Sequence, residues 1–380
     1  MRGGISIGKA FGIQLKLHYS WFIIFALVTW TLVGSYYPVT YPNWTLSMKI
    51  AAGLITSLLF FGSVLFHELM HSIVAIHEGI PIQGITLFIL GGVSEMTDEP
   101  KTAKDEFRMA IAGPGTSLIL GGIFWGIYSA LGKPTENPLQ FISAIARWLG
   151  YINLALGVFN LIPGFPLDGG RVFRSLLWWR TGKLHRATKI ASNIGRVIGY
   201  LFILGGIYLI FTNNWLNGIW FALIGWFLES AAAGSYRQLI LQDLLKGHVA
   251  SEIMTRDCQT VSPDLTIERL VNEYVLATGR RCFPVSEGGR VEGLVTVSDV
   301  QRVPRDQWNV KPVRDAMTPL EKLKSVKPDE DLNTVMKTLT QNDINQVPVI
   351  QDKNIVGMVA RDSVLNFINL RAQLAGDPKE

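Results

Sequence analysis

Residues 49–76 read KIAAGLITSLLFFGSVLFHELMHSIVAI, an apolar run long enough to cross a bilayer that carries His67, Glu68 and His71 near its end. On an α-helix, residues four apart lie one above the other, so His67 and His71 can turn both imidazoles toward one metal ion with Glu68 beside them. A bare carboxylate in hydrocarbon costs about 3 kcal/mol or more, so the triplet marks a functional site whose ligand offsets that cost. The plainer alternative is a helix end dipping into the interface, where all three side chains are simply solvated. His77 is out of phase with the pair and, with Glu78 and Gly79, reads as the helix leaving the membrane.

Further apolar runs fall at about Tyr19 to Tyr37, Phe107 to Leu131, Ile142 to Ile162, Ile190 to Thr212 and Trp215 to Ala233, giving about six spans of roughly 20 residues each. Composition agrees: the 380 residues are 48% hydrophobic and only 17% charged, against about 25% charged in an ordinary soluble chain. The apolar residues end near residue 235, and the remainder reads as alternating helix and strand. The expected fold is therefore a polytopic α-helical membrane protein with a C-terminal α/β domain.

Arg2, Lys9 and Lys16 precede the first span, and Arg171, Arg174, Arg180, Lys183, Arg186 and Lys189 crowd the segment between the fourth and fifth, whereas Asn213-Asn214 carries no charge. By the positive-inside rule both termini face the cytoplasm. The same anchoring accounts for the net charge of +5, so no nucleic-acid partner is expected. The first apolar run lacks a small-residue cleavage site and reads as a retained helix rather than a signal peptide.

Two interruptions in the apolar half point at the histidine site. Pro81 to Met96, PIQGITLFILGGVSEM, is β-branched, broken by glycines and too short to cross; it predicts a short hairpin or re-entrant segment bordering a polar cavity, or else a surface loop at the interface. Asn160 to Arg171, NLIPGFPLDGGR, carries prolines that cannot continue a helix, so the fourth span breaks there and holds Asp168 at the break. Asp168 alone would read as an N-cap for the basic helix that follows. A catalytic zinc site takes three protein ligands and a water, so with His67 and His71 already paired, Asp168 becomes the candidate third ligand.

HELMH in the second span with NLIPGFPLDGG near the end of the fourth resembles the site-2 protease family of intramembrane zinc metalloproteases. The family's Asn-x-x-Pro-x-x-Pro-x-Asp-Gly pattern is matched by Asn160, Pro163, Pro166, Asp168 and Gly169, and Ala112-Gly113-Pro114-Gly115 resembles a further family element. The resemblance implies one Zn2+ per chain on His67, His71 and Asp168, Glu68 as general base, and Asn160 as donor to the oxyanion. Asn160 reads equally as interhelical glue. It also implies a transmembrane protein substrate, such as a membrane-tethered regulator of the anti-sigma type, adding as a strand along Ile82 to Met96.

In the polar half, landmarks recur at a period of about 64 residues. Met254-Thr255 returns as Met317-Thr318, Val261-Ser262-Pro263-Asp264 as Val326-Lys327-Pro328-Asp329, Phe283-Pro284-Val285 as Val347-Pro348-Val349, and Gly293-Leu294-Val295 as Gly357-Met358-Val359. Each copy reads as a helix, two short strands and a second helix. The pair resembles tandem CBS domains, which implies adenine nucleotide (ATP or AMP) in the cleft and homodimerisation as an alternative role. The ribose-contacting pattern is met by Thr296 and Asp299, but the second repeat has Ala360 and Ser363 there. The expected domains are 1–236 (membrane), 247–308 and 309–371. Cys258 and Cys282 are too few for a disulfide framework. From another class, a CBS-regulated transporter or channel, or an inactive scaffold, would also bury ionisable residues in membrane helices.

Overall fold

Six helices among the described residues are long and apolar enough to cross a membrane: α1 (Tyr19–Thr40), α2 (Leu46–His77), α3 (Ala103–Leu131), α4 (Leu139–Asn160), α6 (Leu184–Phe211) and α7 (Trp215–Leu245). Between α4 and α6 lies α5 (Asp168–Thr181), too short to span. The computed structural model describes residues 4–89, 91–96, 100–132, 134, 138–288, 290–352 and 354–375, in two units divided after Arg237. Arg2 lies outside the described residues.

Interhelical hydrogen bonds tie the bundle together where no water competes. Thr29 donates to Ser57 at 2.9 Å, Tyr37 and Thr56 share a hydrogen at 2.7 Å, and the buried Asn153 amide of α4 donates to Ser63 of α2 at 3.4 Å. Thr45 and Thr102 cap α2 and α3, each accepting from a backbone N–H of the first turn.

The segment after α2 is a hairpin, β3 (Ile82–Phe88) and β4 (Gly91–Met96), closed where Phe88 pairs Gly91. Two N-terminal strands extend it into one sheet, β1 (Gly4–Ala10) and β2 (Ile13–His18), in the order β1-β2-β3-β4, with β2 and β3 parallel. Ile13 and Leu15 of β2 and Ile85 of β3 bury against Leu69, which lies between the two histidines of α2. The ladder satisfies the backbone groups that an irregular segment beside membrane helices would leave bare.

The basic residues between α4 and α6 do not form an open loop. Arg171, Arg174 and Arg180 ride on α5, and Arg174 is buried, at 8% exposure.

The second unit contains α8 (Ala250–Ile253), helical residues 267–278 (α9), β5 (Cys282–Glu287), β6 (Arg290–Thr296), α10 (Val297–Gln301), β7 (Thr318–Pro319), α11 (Leu332–Gln341), β8 (Gln346–Gln351), β9 (Asn354–Ala360) and α12 (Arg361–Ala375). The repeats match down to their bridges: Val261 pairs in parallel with Val285, and Val326 with Val349. They also exchange their leading segments. Thr255 pairs with Met358 of the second repeat, while Thr318 pairs with Leu294 of the first. Leu245 and Ala250 accordingly bury in the core of the second repeat, and Val313 in that of the first. Residues 247–308 alone lack Val313 and β7, so that fragment should show no cooperative thermal transition by circular dichroism, whereas 238–375 should unfold in one. A cooperative transition in the shorter fragment would contradict the exchange.

Candidate metal centre

Helical spacing on α2 brings His67 and His71 together as expected, with their Nε2 atoms 3.2 Å apart. The break after α4 delivers the third group. α4 ends at Asn160, the chain turns, and α5 starts with Asp168 in its first turn after the cap residue Leu167. Asp168 Oδ2 lies 3.1 Å from His67 Nε2 and 3.2 Å from His71 Nε2. All three side chains are largely buried, at 5%, 13% and 20% exposure.

These three atoms form a nearly equilateral triangle, and their chemistry asks for a cation. A backbone carbonyl only accepts, so His71 Nδ1, 2.7 Å from Met109 O, carries the ring proton. Its Nε2 then presents a lone pair. His67 Nδ1 sits 2.9 Å from Ser117 Oγ, which can accept its proton and free the second Nε2 in the same way. With both rings protonated on Nδ1, two lone pairs and a carboxylate oxygen converge, an arrangement that is repulsive unless a metal ion or a proton on one Nε2 lies between them. Tetrahedral zinc with N and O bonds of about 2.0–2.1 Å separates its ligand atoms by about 3.3–3.4 Å, close to the spacing found. The residues fit the ion.

α3 supplies the wall behind the histidines. Met109 and Ser117 orient the rings, and Gly113 lies between them in sequence; a Cβ there would stand 2.1 Å from His71 Nε2 and 2.6 Å from His67 Nε2. Within Ala112-Gly113-Pro114-Gly115, the close approach of α3 to α2 at Gly113 therefore occurs at the ligand atoms themselves. Glu68, next on the helix, accepts from Ser94 of β4 at 3.1 Å, and Ser94 and Ser72 share a hydrogen at 3.1 Å. Gly92 lets β4 close over it, since a Cβ there would meet Glu68 Cγ at 2.3 Å. The 81–96 hairpin thus borders the site rather than lying apart from it.

The other sequence candidates fall elsewhere. Asn160 closes α4, half-buried, just upstream of the turn that leads to Asp168. His77 ends α2 and is exposed. In the second unit Thr296 and Asp299 cap each other: the Thr296 hydroxyl donates to Asp299 Oδ2 at 2.6 Å and accepts from the Asp299 N–H at 3.3 Å. Burial pushes the Cys282 thiol up to about 12 and also raises that of Cys258, so both stay protonated at neutral pH and are poor zinc ligands. Among the described residues, His67, His71 and Asp168 are the one group of three His, Cys, Asp or Glu side chains placed to hold a metal. Sequence reading missed Ser94, Met109 and Ser117. The Met109 contact is made by a backbone carbonyl, and serines in apolar helices are too common to single out.

The model of peptidase family M50 matches residues 55–139 and 133–204, and that of the CBS domain matches 250–306 and 313–370. Rip3 of Mycobacterium tuberculosis is 33% identical over 97% of this chain and 94% of its own length. The zinc metalloprotease MJ0392 of Methanocaldococcus jannaschii is 30% identical over 97% of each chain. Among solved structures, a site-2 protease from M. jannaschii is 31% identical, covering 62% of this chain and 95% of that one with a TM-score of 0.41.

The Gly113 contact yields a test. Gly113→Ala puts a methyl group where the two Nε2 atoms meet, so the purified protein should carry less than about a tenth of the wild-type zinc by metal analysis, with its helical circular dichroism unchanged. Wild-type zinc content in that variant would contradict the geometry.

Proposed function

The chain belongs to peptidase family M50 and carries a C-terminal pair of CBS domains; on that premise we propose that it is a membrane-embedded zinc metalloendopeptidase. It hydrolyses peptide bonds in or near the transmembrane segments of membrane-protein substrates, the reaction of regulated intramembrane proteolysis. The observation that carries this reading is the convergence of His67 Nε2, His71 Nε2 and Asp168 Oδ2 beside Glu68.

His67, His71 and Asp168 would hold one zinc ion per chain. Bound there, zinc would supply the Lewis acidity that lowers the pKa of a water and polarises a carbonyl. Glu68 takes the proton from the attacking water and later returns it to the leaving amine, while Ser94 holds its carboxylate and Gly92 leaves room for it. The Asn160 amide donates to the carbonyl oxygen as it gains charge. A helical substrate hides its carbonyls in its own hydrogen bonds, so it must unwind, and the outer edge of β4 gives the extended chain a partner beside Glu68.

The substrate is a membrane-tethered regulator of the anti-sigma type, and the segments 1–236, 247–308 and 309–371 serve as protease and two CBS repeats. Both termini and the CBS pair lie in the cytoplasm, where the pair binds adenine nucleotide and dimerises. Thr296 and Asp299 hold the ribose in the first repeat; Ala360 and Ser363 offer no carboxylate in the second.

Two outcomes follow. Glu68→Gln should keep zinc and lose cleavage of a model transmembrane substrate by about 10²–10⁴-fold; retained proteolysis would exclude Glu68 as base, and the transporter reading predicts no cleavage by either protein. Calorimetric titration of the full chain with AMP should give about one site per chain, since only one repeat keeps the Thr-x-x-Asp pattern. Two equivalent sites would contradict that assignment.

A further inference from the structure

The mechanism leaves one buried pair of charges without a task. Glu106 of α3 is 0% exposed and Arg174 of α5 8%. Arg174 Nε donates to Glu106 Oε1 at 2.7 Å, its Nη2 bonds the same oxygen, and Arg171 Nε approaches it at 3.7 Å. Among the described residues, Glu106 Oε2 has no hydrogen-bond partner. A buried ion pair seldom stabilises a fold more than apolar side chains of the same shape would, so stability alone does not account for this one.

Its position relates it to the metal centre. Glu106 begins the stripe Glu106, Met109, Gly113 and Ser117, spaced by three, four and four residues and so aligned along one face of α3. The rest of that stripe touches the histidines: Met109 O takes the His71 proton, Gly113 adjoins both Nε2 atoms and Ser117 meets His67. Arg174 stands on the helix that begins with Asp168. Its guanidinium also lies over the Phe165 ring, 5.2 Å from the centroid, in the turn that leads to Asp168, and reaches Thr188 of α6 at 3.5 Å. One ion pair therefore joins the helix that orients two ligands to the helix that carries the third.

We propose that Glu106 and Arg174 are positioning residues that set the register of α5 against α3 and so hold Asp168 at bonding distance from the zinc held by His67 and His71. This rests on the metal-site reading above. It assigns the pair no contact with substrate, and its effect on zinc passes entirely through Asp168.

That restriction is what a double-mutant cycle reads. Zinc affinity is measured by chelator competition on the full-length protein in detergent for wild type, Glu106→Gln, Asp168→Ala and the double variant. Glu106→Gln should weaken zinc binding by about 10–100-fold, and in the Asp168→Ala background the same change should cost less than about twofold. A merely structural role would disturb the histidines as well and give the full loss in both backgrounds; that result, or wild-type affinity in Glu106→Gln, overturns the proposal. If Glu106→Gln does not fold, Arg174→Lys, which keeps the charge but loses the planar fork, goes through the same cycle with the same two outcomes. A His67→Ala control separates the failures. Unchanged zinc affinity there removes the metal-site reading itself, whereas loss there with Glu106→Gln unaffected removes only the positioning role.

Discussion

Two imidazole lone pairs and a carboxylate oxygen held 3.1–3.2 Å apart inside a bundle of apolar helices repel one another unless a cation lies between them. Much else in the membrane unit serves that constraint. Helical spacing on α2 aligns the two histidines, and α3 takes up their outer nitrogens through a carbonyl and a hydroxyl. The interruption after α4 holds Pro163 and Pro166, which disfavour continued helix, and it allows a new helix to start with Asp168 beside the histidines. Leu69, facing away from the ligands, anchors the sheet whose far strand closes over Glu68.

The sheet answers a second constraint. Extended backbone beside membrane helices must find partners for every N–H and C=O, and a lone two-stranded hairpin would leave both edges open. β2, itself paired with β1, covers one edge of β3, so the outer strands of the sheet are β1 and β4, and β4 is the one whose Ser94 bonds Glu68.

The sequence made the six spans, the two-histidine helix, the Asp168 break and the CBS repeats legible, because each rests on a local pattern: apolar length, a four-residue spacing, prolines in an apolar run, or a recurring set of landmarks. What it did not reveal depends on distant segments meeting. β1 is short and contains two glycines, and it is a strand because β2 pairs with it while β2 in turn pairs with β3; GISIGKA carries no such signal by itself. Arg174 reads as one more basic residue beside a membrane span, and Glu106 sits just ahead of the third apolar run; only the packing of α3 on α5 makes them a buried pair. The exchange of leading segments between the CBS repeats is likewise invisible to a period, which sets the spacing of landmarks but not which copy each one joins.

The central claim is that one zinc ion is bound by His67, His71 and Asp168. X-ray absorption at the zinc edge of the purified protein tests it directly: two imidazole nitrogens and oxygen scatterers at about 2.0–2.1 Å are predicted, with the oxygen shell altered in Asp168→Ala. A sulfur shell near 2.3 Å, or a spectrum unchanged by that substitution, would contradict it.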